Sequence, residues 1–235
     1  MHKQTTLESI LFIDIETVAA CPNYQVLSER MKFFWDKKAE HLRKSEEDTP
    51  ENLYPRAGIY AEFGKIICIS VAYIREERVR IKSFYGDDEK TLLEAFATLL
   101  HTHYNGSHHR LCAHNGKEFD FPYICRRMLI HKIKLPSILD VSGKKPWETS
   151  FLDTMDMWRF GDYKQYTSLD LLATLFGIDS PKEDIDGSKV NDCYWKEQAL
   201  ERIKTYCEKD VLTVVQLYIS YYGKSLYRTE DILYV

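Results

Sequence analysis

Short apolar runs of strand length alternate with helical patterns along most of this chain, and this alternation restricts the fold more than any other feature. Residues 10–16 form the first run, whose nearly continuous apolar character is typical of a buried strand. Two further strands are predicted at 65–74 and 78–85, joined by a hairpin-type turn. Later strands at 110–114 and 151–155 alternate with helices, so the pattern predicts a mixed α/β sheet covered on both faces.

The segment 19–63 does not fit a tight connection between two strands. Its middle, 26–44, is amphipathic, and its apolar residues lie close to one helical stripe: Leu27, Met31, Phe34, Trp35 and Leu42. We therefore predict an inserted helix and loop over one edge of a single domain that spans 1–235. Further helices are predicted to start near 87–89 and to cover 121–131, 168–175 and 196–222.

Composition excludes several classes of protein. The longest uncharged apolar stretch, 66–74, is far shorter than the roughly 20 residues that a membrane-spanning helix needs. The amino terminus has no signal-peptide pattern, and the six cysteines have no CxxC spacing, so we expect a cytoplasmic protein with reduced thiols. A formal net charge of −4 is unlike that of proteins that coat duplex DNA, which are usually strongly basic.

Two carboxylates follow the first apolar run. Residues two apart in a strand share a face, so Asp14 and Glu16 point the same way at the carboxyl end of their strand. Carboxylates placed there repel each other and resist ionisation, and a divalent cation such as Mg²⁺ relieves both effects. The same end of an α/β sheet is where ligands bind. The pattern fits a metal site, but it also fits a strand that simply emerges into solvent.

Two further polar patterns lie later in the chain. Asn115 to Asp120 follow a predicted strand, where an ordinary turn and a helix N-cap would explain the same residues. Tyr206 and Asp210 are spaced i, i+4 on the last predicted helix and share a face, as a structural hydrogen bond would also require. Each pattern alone has an ordinary structural explanation.

Other catalytic motifs are missing from the sequence. Four histidines lie close together, but no cysteine or carboxylate completes a zinc-finger spacing: His101, His103, His108 and His109. The chain contains no GxSxG, GxxxxGKS/T or GxGxxG motif. The sequence therefore gives no support for a serine hydrolase or for a nucleotide-cofactor enzyme.

The three polar patterns in this order resemble the DnaQ-like superfamily of 3′–5′ exonucleases, in its tyrosine-containing (DEDDy) branch. They read DxE after a buried strand, then NxxxFD, then YxxxD near the end. Four flanking segments are similar to the stand-alone exonucleases related to the proofreading domain of family B DNA polymerases: 147–156, 168–173, 186–190 and 206–212. The resemblance extends over 11–222, nearly the whole chain.

The resemblance implies an RNase H-like fold with a mixed five-stranded sheet and helices on both faces. It also implies two divalent ions, Mg²⁺ or Mn²⁺, held by four carboxylates: Asp14, Glu16, Asp120 and Asp210. Asp14 is expected to bridge both ions, while Glu16 and Asp210 complete the ion that activates water. Asp120 is expected to hold the second ion, through water. Tyr206 is expected to orient the nucleophilic water with its hydroxyl.

The activity implied is metal-dependent hydrolysis of phosphodiester bonds from the 3′ ends of single-stranded or frayed nucleic acid, with DNA favoured over RNA. The alternatives are a ribonuclease or oligoribonuclease that uses the same site, and a catalytically silent nucleic-acid-binding module. The expected substrate-binding residues are Thr17, Asn115, Phe119 and Lys182. Candidate phosphate contacts are Lys117, Arg126, Arg127, Lys132 and Lys182. Protein partners are not predicted, and a membrane is not among the expected partners.

Overall fold

The structure is a computed structural model that describes residues 6–162, 166–179, 185 and 187–235. A six-stranded sheet lies at its centre, in the order β5-β4-β1-β2-β3-β6. The strands are β1 (Ile10–Ala19), β2 (Gly64–Arg75), β3 (Arg78–Tyr85), β4 (Arg110–Ala113), β5 (Phe151–Asp153) and β6 (Ile232–Tyr234). β2 runs antiparallel to both of its neighbours, and the remaining neighbours pair parallel. The prediction of a mixed sheet is confirmed.

The sheet has one strand more than the five that were predicted. β6 pairs parallel with the outer edge of β3 and is only three residues long. A strand of this length has too few residues to show an alternating pattern, which is why the sequence does not reveal it. The five predicted strands are all present, and β3 has the predicted bounds.

Helices lie on both faces of the sheet. In chain order they are α1 (Glu29–Leu42), α2 (Pro50–Leu53), α3 (Glu89–His103), α4 (Asp120–Ile130), α5 (Thr154–Arg159), α6 (Leu169–Leu175), α7 (Val190–Trp195) and α8 (Leu200–Tyr221). Within the described residues, no helix is long and apolar enough to cross a membrane.

Strand β1 supplies core residues to both faces in turn. Leu11, Ile13 and Ile15 are buried with α3 and α4 on one face. Ile10 and Phe12 are buried with α8 on the other face, in a cluster completed by Val211, Val214, Val215 and Tyr218. Because side chains alternate along a strand, Asp14 continues the row of Ile10 and Phe12 and therefore points towards α8.

The insertion packs at the carboxyl end of β1 and has a core of its own. Its buried residues are Ala19, Leu27, Trp35, Ala39, Leu53, Tyr54 and Ala57. The Trp35 indole nitrogen donates to the main-chain oxygen of Pro50 at 2.8 Å, which ties α1 to α2. The predicted apolar stripe of α1 is wrong at one position, because Phe34 is 43% exposed and lies beside the buried face.

Two helix boundaries differ from the predictions for identifiable reasons. The strand predicted at 151–155 ends at Asp153, because the Asp153 carboxylate accepts from the N–H groups of Met155 and Asp156 and starts α5 there. The last helix begins at Leu200 and not at 196. The preceding Gln198 has a positive φ of 54°, a conformation that no helix continues through. The six-residue α7 was not predicted.

Candidate active site

The candidate site lies where β1 approaches its carboxyl end. Asp14 and Glu16 are on the α8 side of the sheet, opposite Ser70 and Cys68 of β2. The pairing of β1 with β2 shifts register between Glu16 and Thr17. Such an irregularity bends a strand and re-aims the side chains next to it. Glu16 is buried and Asp14 is partly buried, so this strand does not simply emerge into solvent.

Helix α8 crosses directly over these two carboxylates. The Cys207 thiol donates to Asp14 Oδ2 at 3.2 Å and lies 3.4 Å from the Asp14 main-chain oxygen. Possible ligand atoms of Asp14, Glu16 and Cys207 all lie within 4.8 Å of one another. Because Tyr206 and Asp210 are on the same helix, the Cys207 contact with β1 also fixes the position of both.

Asp120 comes to the same place from the other face of the sheet. It is the first residue of α4 and is 5% exposed. Its carboxylate accepts hydrogen bonds from its own N–H and from the N–H of Ile15, which lies between Asp14 and Glu16. The start of α4 is thereby fixed to the strand that carries the other two carboxylates.

The carboxylates strongly perturb one another. Burial, followed by the negative charge of Asp210, raises the pKa of both Asp14 and Glu16 well above their usual values. Burial is also the main reason that the pKa of Asp120 rises to about 7, with the charges of Asp153 and Asp210 adding to it. Without a cation, Asp14, Glu16 and Asp120 therefore resist ionisation. Strongly shifted carboxyl groups of this kind are typical of functional sites.

Tyr206 completes this cluster. It is buried, and its pKa is raised first by burial and then by the charges of Asp210, Glu16 and Asp14. A hydrogen bond to Asp210 contributes in the same direction. The phenol therefore keeps its proton at neutral pH and acts as a hydrogen-bond donor beside the carboxylates.

The loop between β4 and α4 is positioned by Asp153, a residue that the sequence analysis did not select. The Asp153 carboxylate accepts from the N–H of Asn115 at 2.9 Å and from the N–H of Lys117 at 3.1 Å. Gly116 is required between them, since a Cβ there would lie 2.3 Å from the Ala113 Cβ. Asp153 lies inside the strand predicted at 151–155 and inside the similar segment 147–156, but neither signal distinguishes its carboxylate from its neighbours.

Asn115 has two unusual features. Its φ is +60°, and its buried Oδ1 has no hydrogen-bond partner among the described residues. Strained backbone and unsatisfied polar atoms concentrate at functional sites, because the surrounding structure must hold them in place. The structure thus places Asn115 in the loop that leads directly to Asp120.

Of the remaining predicted substrate residues, Thr17 and Phe119 are adjacent in the chain to carboxylates of the cluster. Thr17 is partly exposed and its side chain is hydrogen-bonded to Tyr123. Phe119 is partly buried, with its ring 5.4 Å from that of Tyr123. Lys182 lies outside the described residues. Tyr166, which the sequence analysis did not select, is exposed, and its pKa is raised by burial of its hydroxyl and by the charges of Asp120 and Asp210.

Two of the candidate phosphate contacts are already engaged within the protein. Arg127 is buried and donates to Glu89 and to the main-chain oxygen of Ala61. This arginine therefore does not face a substrate, and its prediction as a phosphate contact is wrong. Lys117 forms an ion pair with Asp156 at 3.0 Å. Arg126 and Lys132 are exposed.

The comparison with solved structures found several similar chains. A family B DNA polymerase from the hyperthermophilic archaeon Pyrobaculum calidifontis is 15% identical over 90% of this chain and 24% of that chain, with a TM-score of 0.56. The zinc-bound E. coli exonuclease I in complex with single-stranded DNA is 12% identical over 93% of this chain and 43% of that chain, with a TM-score of 0.43. A product-bound exonuclease I is 12% identical over 93% of this chain and 46% of that chain, also with a TM-score of 0.43.

The chain spans less than half the length of each of these proteins. At this level of identity the polymerase shows the fold alone, and its exonuclease-like architecture agrees with the mixed sheet described above. No curated protein matches the chain.

A family model matches residues 59–227, and its members are described as predicted 3′–5′ exonucleases related to the exonuclease domain of PolB. The matched range contains Asp120, Tyr206 and Asp210, while Asp14 and Glu16 precede it. The fold brings those two carboxylates to the other three residues independently of the match. Because the match covers well over half of the chain, this protein belongs to the family of predicted 3′–5′ exonucleases related to the PolB exonuclease domain.

Proposed function

We propose that this protein hydrolyses phosphodiester bonds one nucleotide at a time from the 3′ ends of single-stranded or frayed DNA, using two divalent metal ions. The observation that carries the proposal is the meeting of four carboxylates beside one protonated tyrosine: Asp14, Glu16, Asp120, Asp210 and Tyr206. They come from a strand and from two helices on opposite faces of the sheet.

The donor set fits hard divalent cations. Carboxylate oxygens are the preferred ligands of Mg²⁺ and Mn²⁺. The raised pKa values of Asp14 and Glu16, caused first by burial and then by the charge of Asp210, show a local excess of negative charge that cations would offset. When bound, two such ions supply positive charge for the attacking and leaving oxygens of the phosphodiester. We assign Asp14, Glu16, Asp120 and Asp210 as the residues that hold them.

Tyr206 is assigned to orient the nucleophilic water. Its hydroxyl is hydrogen-bonded to Asp210, and burial, with the neighbouring carboxylates, raises its pKa far above neutrality. A phenol that keeps its proton cannot serve as the general base. It can hold a water molecule in one orientation, which is a contribution from geometry and not from proton transfer.

The rim residues are assigned to the 3′-terminal nucleotide. Thr17 directly follows Glu16, while Asn115 and Phe119 precede Asp120 in the loop held by Asp153. Lys182 remains a proposed phosphate contact. The chain positions of Thr17, Asn115 and Phe119 beside the carboxylates support their assignment to a strand end.

A gel assay tests the proposal. The purified protein is incubated with 5′-labelled single-stranded DNA and with RNA of the same sequence, in Mg²⁺, in Mn²⁺ and in EDTA. The inactive reference is Asp14→Ala/Asp210→Ala, and the matched control is Asp140→Ala, since Asp140 is an exposed residue outside the site. The expected result is a metal-dependent descending ladder on DNA that is absent from the reference.

Other outcomes have distinct meanings. A ladder on RNA alone would replace the proposal with a ribonuclease acting at the same site. Folded wild-type protein that binds oligonucleotides without cleaving them in either metal would contradict hydrolysis and favour a silent binding module. Cleavage that persists in the reference variant would place catalysis elsewhere in the protein.

A further inference from the structure

One face of the inserted helix α1 is basic and aromatic. It consists of Arg30, Phe34, Lys37, Lys38 and His41, and we refer to these residues as the α1 face. Their spacing places them on the same side of the helix, next to the side that buries Trp35 and Ala39. The acidic residues of α1 lie on other sides: Glu29, Asp36 and Glu40. The α1 face therefore has a net positive charge although the whole chain is acidic.

The α1 face forms one wall of an open groove. Four of its residues line a cavity of about 810 Å³ together with Met31, Glu62, Phe63 and Ile130: Phe34, Lys37, Lys38 and His41. Phe34 is 43% exposed and Ile130 is 52% exposed, so the groove presents apolar surface to solvent beside its cations. Glu62 is the one acidic residue among the described residues of this lining.

The cations of this region lie over aromatic rings. The Lys37 Nζ is 4.3 Å from the centre of the neighbouring Phe33 ring, and the Lys38 Nζ is 4.0 Å from that of Tyr60. The Arg30 guanidinium carbon is 5.5 Å from the centre of the Phe34 ring. In the described part of the chain, neither lysine forms an ion pair with a carboxylate. Their charges remain available to an anion from outside the protein.

Helix α4 connects this groove to the carboxylate cluster. It begins at Asp120 in the cluster and ends at Ile130 in the groove wall, a distance of about 15 Å at 1.5 Å per residue. Stacked nucleotides rise by about 3.4 Å each, so about four of them would cover this distance. The exposed Arg126 lies one turn before Ile130 on the same side of the helix. The groove is thus within reach of a strand whose 3′ end lies in the cluster.

We propose that the α1 face binds single-stranded nucleic acid about four nucleotides upstream of the 3′ end, an inference that rests on the proposed exonuclease function. Lys37, Lys38 and Arg30 contact backbone phosphates, and a base stacks against the exposed ring of Phe34. This combination of cations and aromatic rings binds single strands with little sequence preference. A partner protein would fit this surface less well, because it would need carboxylates matched to the three cations, whereas a nucleic-acid strand carries a phosphate on every nucleotide.

The test compares two variants of equal charge change. Lys37→Glu/Lys38→Glu alters the α1 face, and Arg75→Glu/Arg78→Glu alters exposed residues that pair at the opposite end of the sheet. Binding of a 5′-fluorescein 20-nucleotide oligodeoxythymidylate is measured by anisotropy in EDTA over a range of salt concentrations. Removing two phosphate contacts is expected to weaken binding by roughly 25-fold at 0.1 M salt and to lower the salt slope by about 1.4. The control variant should bind as the wild type does.

A second measurement locates the strand. Oligonucleotides with 5-iodouracil at the fourth or the fifteenth position from the 3′ end are cross-linked to wild-type protein by ultraviolet light, and the modified peptides are mapped. The fourth position is expected to modify a peptide within 30–41. Equal affinities of the two variants, or cross-links outside this segment, would overturn the proposal.

The binding comparison is independent of catalysis because it is made without metal. Loss of affinity in Lys37→Glu/Lys38→Glu supports the α1 face even if no cleavage is ever observed. Cleavage by the wild type with equal affinities of both variants would retain the proposed function and reject this surface.

Discussion

Replacing Asp120 with Asn should stabilise the metal-free protein. Burial raises the pKa of Asp120 from 3.8 to about 7, with a further contribution from the charge of Asp153. In the unfolded chain the same group ionises near 3.9. A difference of about 3 pH units corresponds to on the order of 4 kcal/mol of folding free energy, at about 1.36 kcal/mol per unit.

The sign follows from the direction of the shift. Because the folded pKa is raised, the wild type loses this free energy as the pH rises from about 4 to about 7, where ionisation in the folded state is complete. Asn does not ionise and keeps an oxygen that accepts from the N–H of Ile15. The free energy of unfolding of Asp120→Asn is therefore expected to exceed that of the wild type by about 1–2 kcal/mol at pH 5 and by up to about 4 kcal/mol above pH 7. The observed difference will be smaller by the amount that the hydrogen bonds weaken when a charged acceptor becomes neutral.

Urea unfolding in EDTA from pH 5 to pH 8.5 measures the difference in free energy of unfolding between Asp120→Asn and the wild type. Asp140→Asn, at an exposed position, is the matched control and should show no gap that depends on pH. Adding Mg²⁺ should stabilise the wild type more than Asp120→Asn, because a ligand that binds only the folded state raises its stability. A variant that is less stable than the wild type at pH 8, or a gap that does not change with pH, would refute the reasoning.

Three further predictions concern single side chains. Tyr206→Phe should lower kcat by about 100-fold, the usual cost of a misplaced reactant, while calorimetry shows unchanged Mn²⁺ affinity; an unchanged kcat would reject the water-orienting role. Asp153→Asn should lower the free energy of unfolding by about 1–3 kcal/mol in thermal unfolding, because one acceptor oxygen for the N–H groups of Asn115 and Lys117 is lost. A DNA cleavage rate equal to that of the wild type would argue against a role of Asp153 in positioning the loop. Glu89→Gln should destabilise the protein by about 3–5 kcal/mol at pH 7, since it leaves the buried Arg127 charge unpaired. Burial raises the pKa of Glu89, but hydrogen bonds and the charge of Arg127 outweigh it and lower that pKa. The stabilisation from the ionised Glu89 is therefore complete above about pH 4.3 and is lost as the pH falls. Urea unfolding at pH 3 and pH 7 measures this loss, and equal stability of variant and wild type at pH 7 would contradict the prediction.

Local patterns were sufficient to predict the sheet and the strand that carries the first two carboxylates. The alternation in β1 predicted which residues share a face with Asp14, because side-chain direction in a strand depends only on position. β3 was predicted with its observed bounds because its alternating residues are flanked by clear turn signals. The three-residue β6 was missed, since pairing with a distant strand, and not its own pattern, makes it a strand.

Features that depend on distant contacts could not be predicted. Nothing near Cys207 in the sequence indicates that its thiol donates to Asp14, 193 positions away. Arg127 follows the exposed Arg126 in the chain, yet only the packing of Glu89 shows that Arg127 is buried. Asp153 supports the loop at Asn115 because β5 pairs beside β4, which is a property of the sheet order.

The central claim is that the carboxylate cluster performs metal-dependent removal of nucleotides from a 3′ end. The most direct measurement follows a 5′-labelled single-stranded DNA through time in Mg²⁺, with wild-type protein and with Asp210→Asn compared at equal folded concentration. The account predicts products that shorten by one nucleotide at a time with the wild type, and an undegraded strand with Asp210→Asn or with EDTA. An undegraded strand with folded wild-type protein in Mg²⁺ and in Mn²⁺, or an equal ladder with Asp210→Asn, would contradict it.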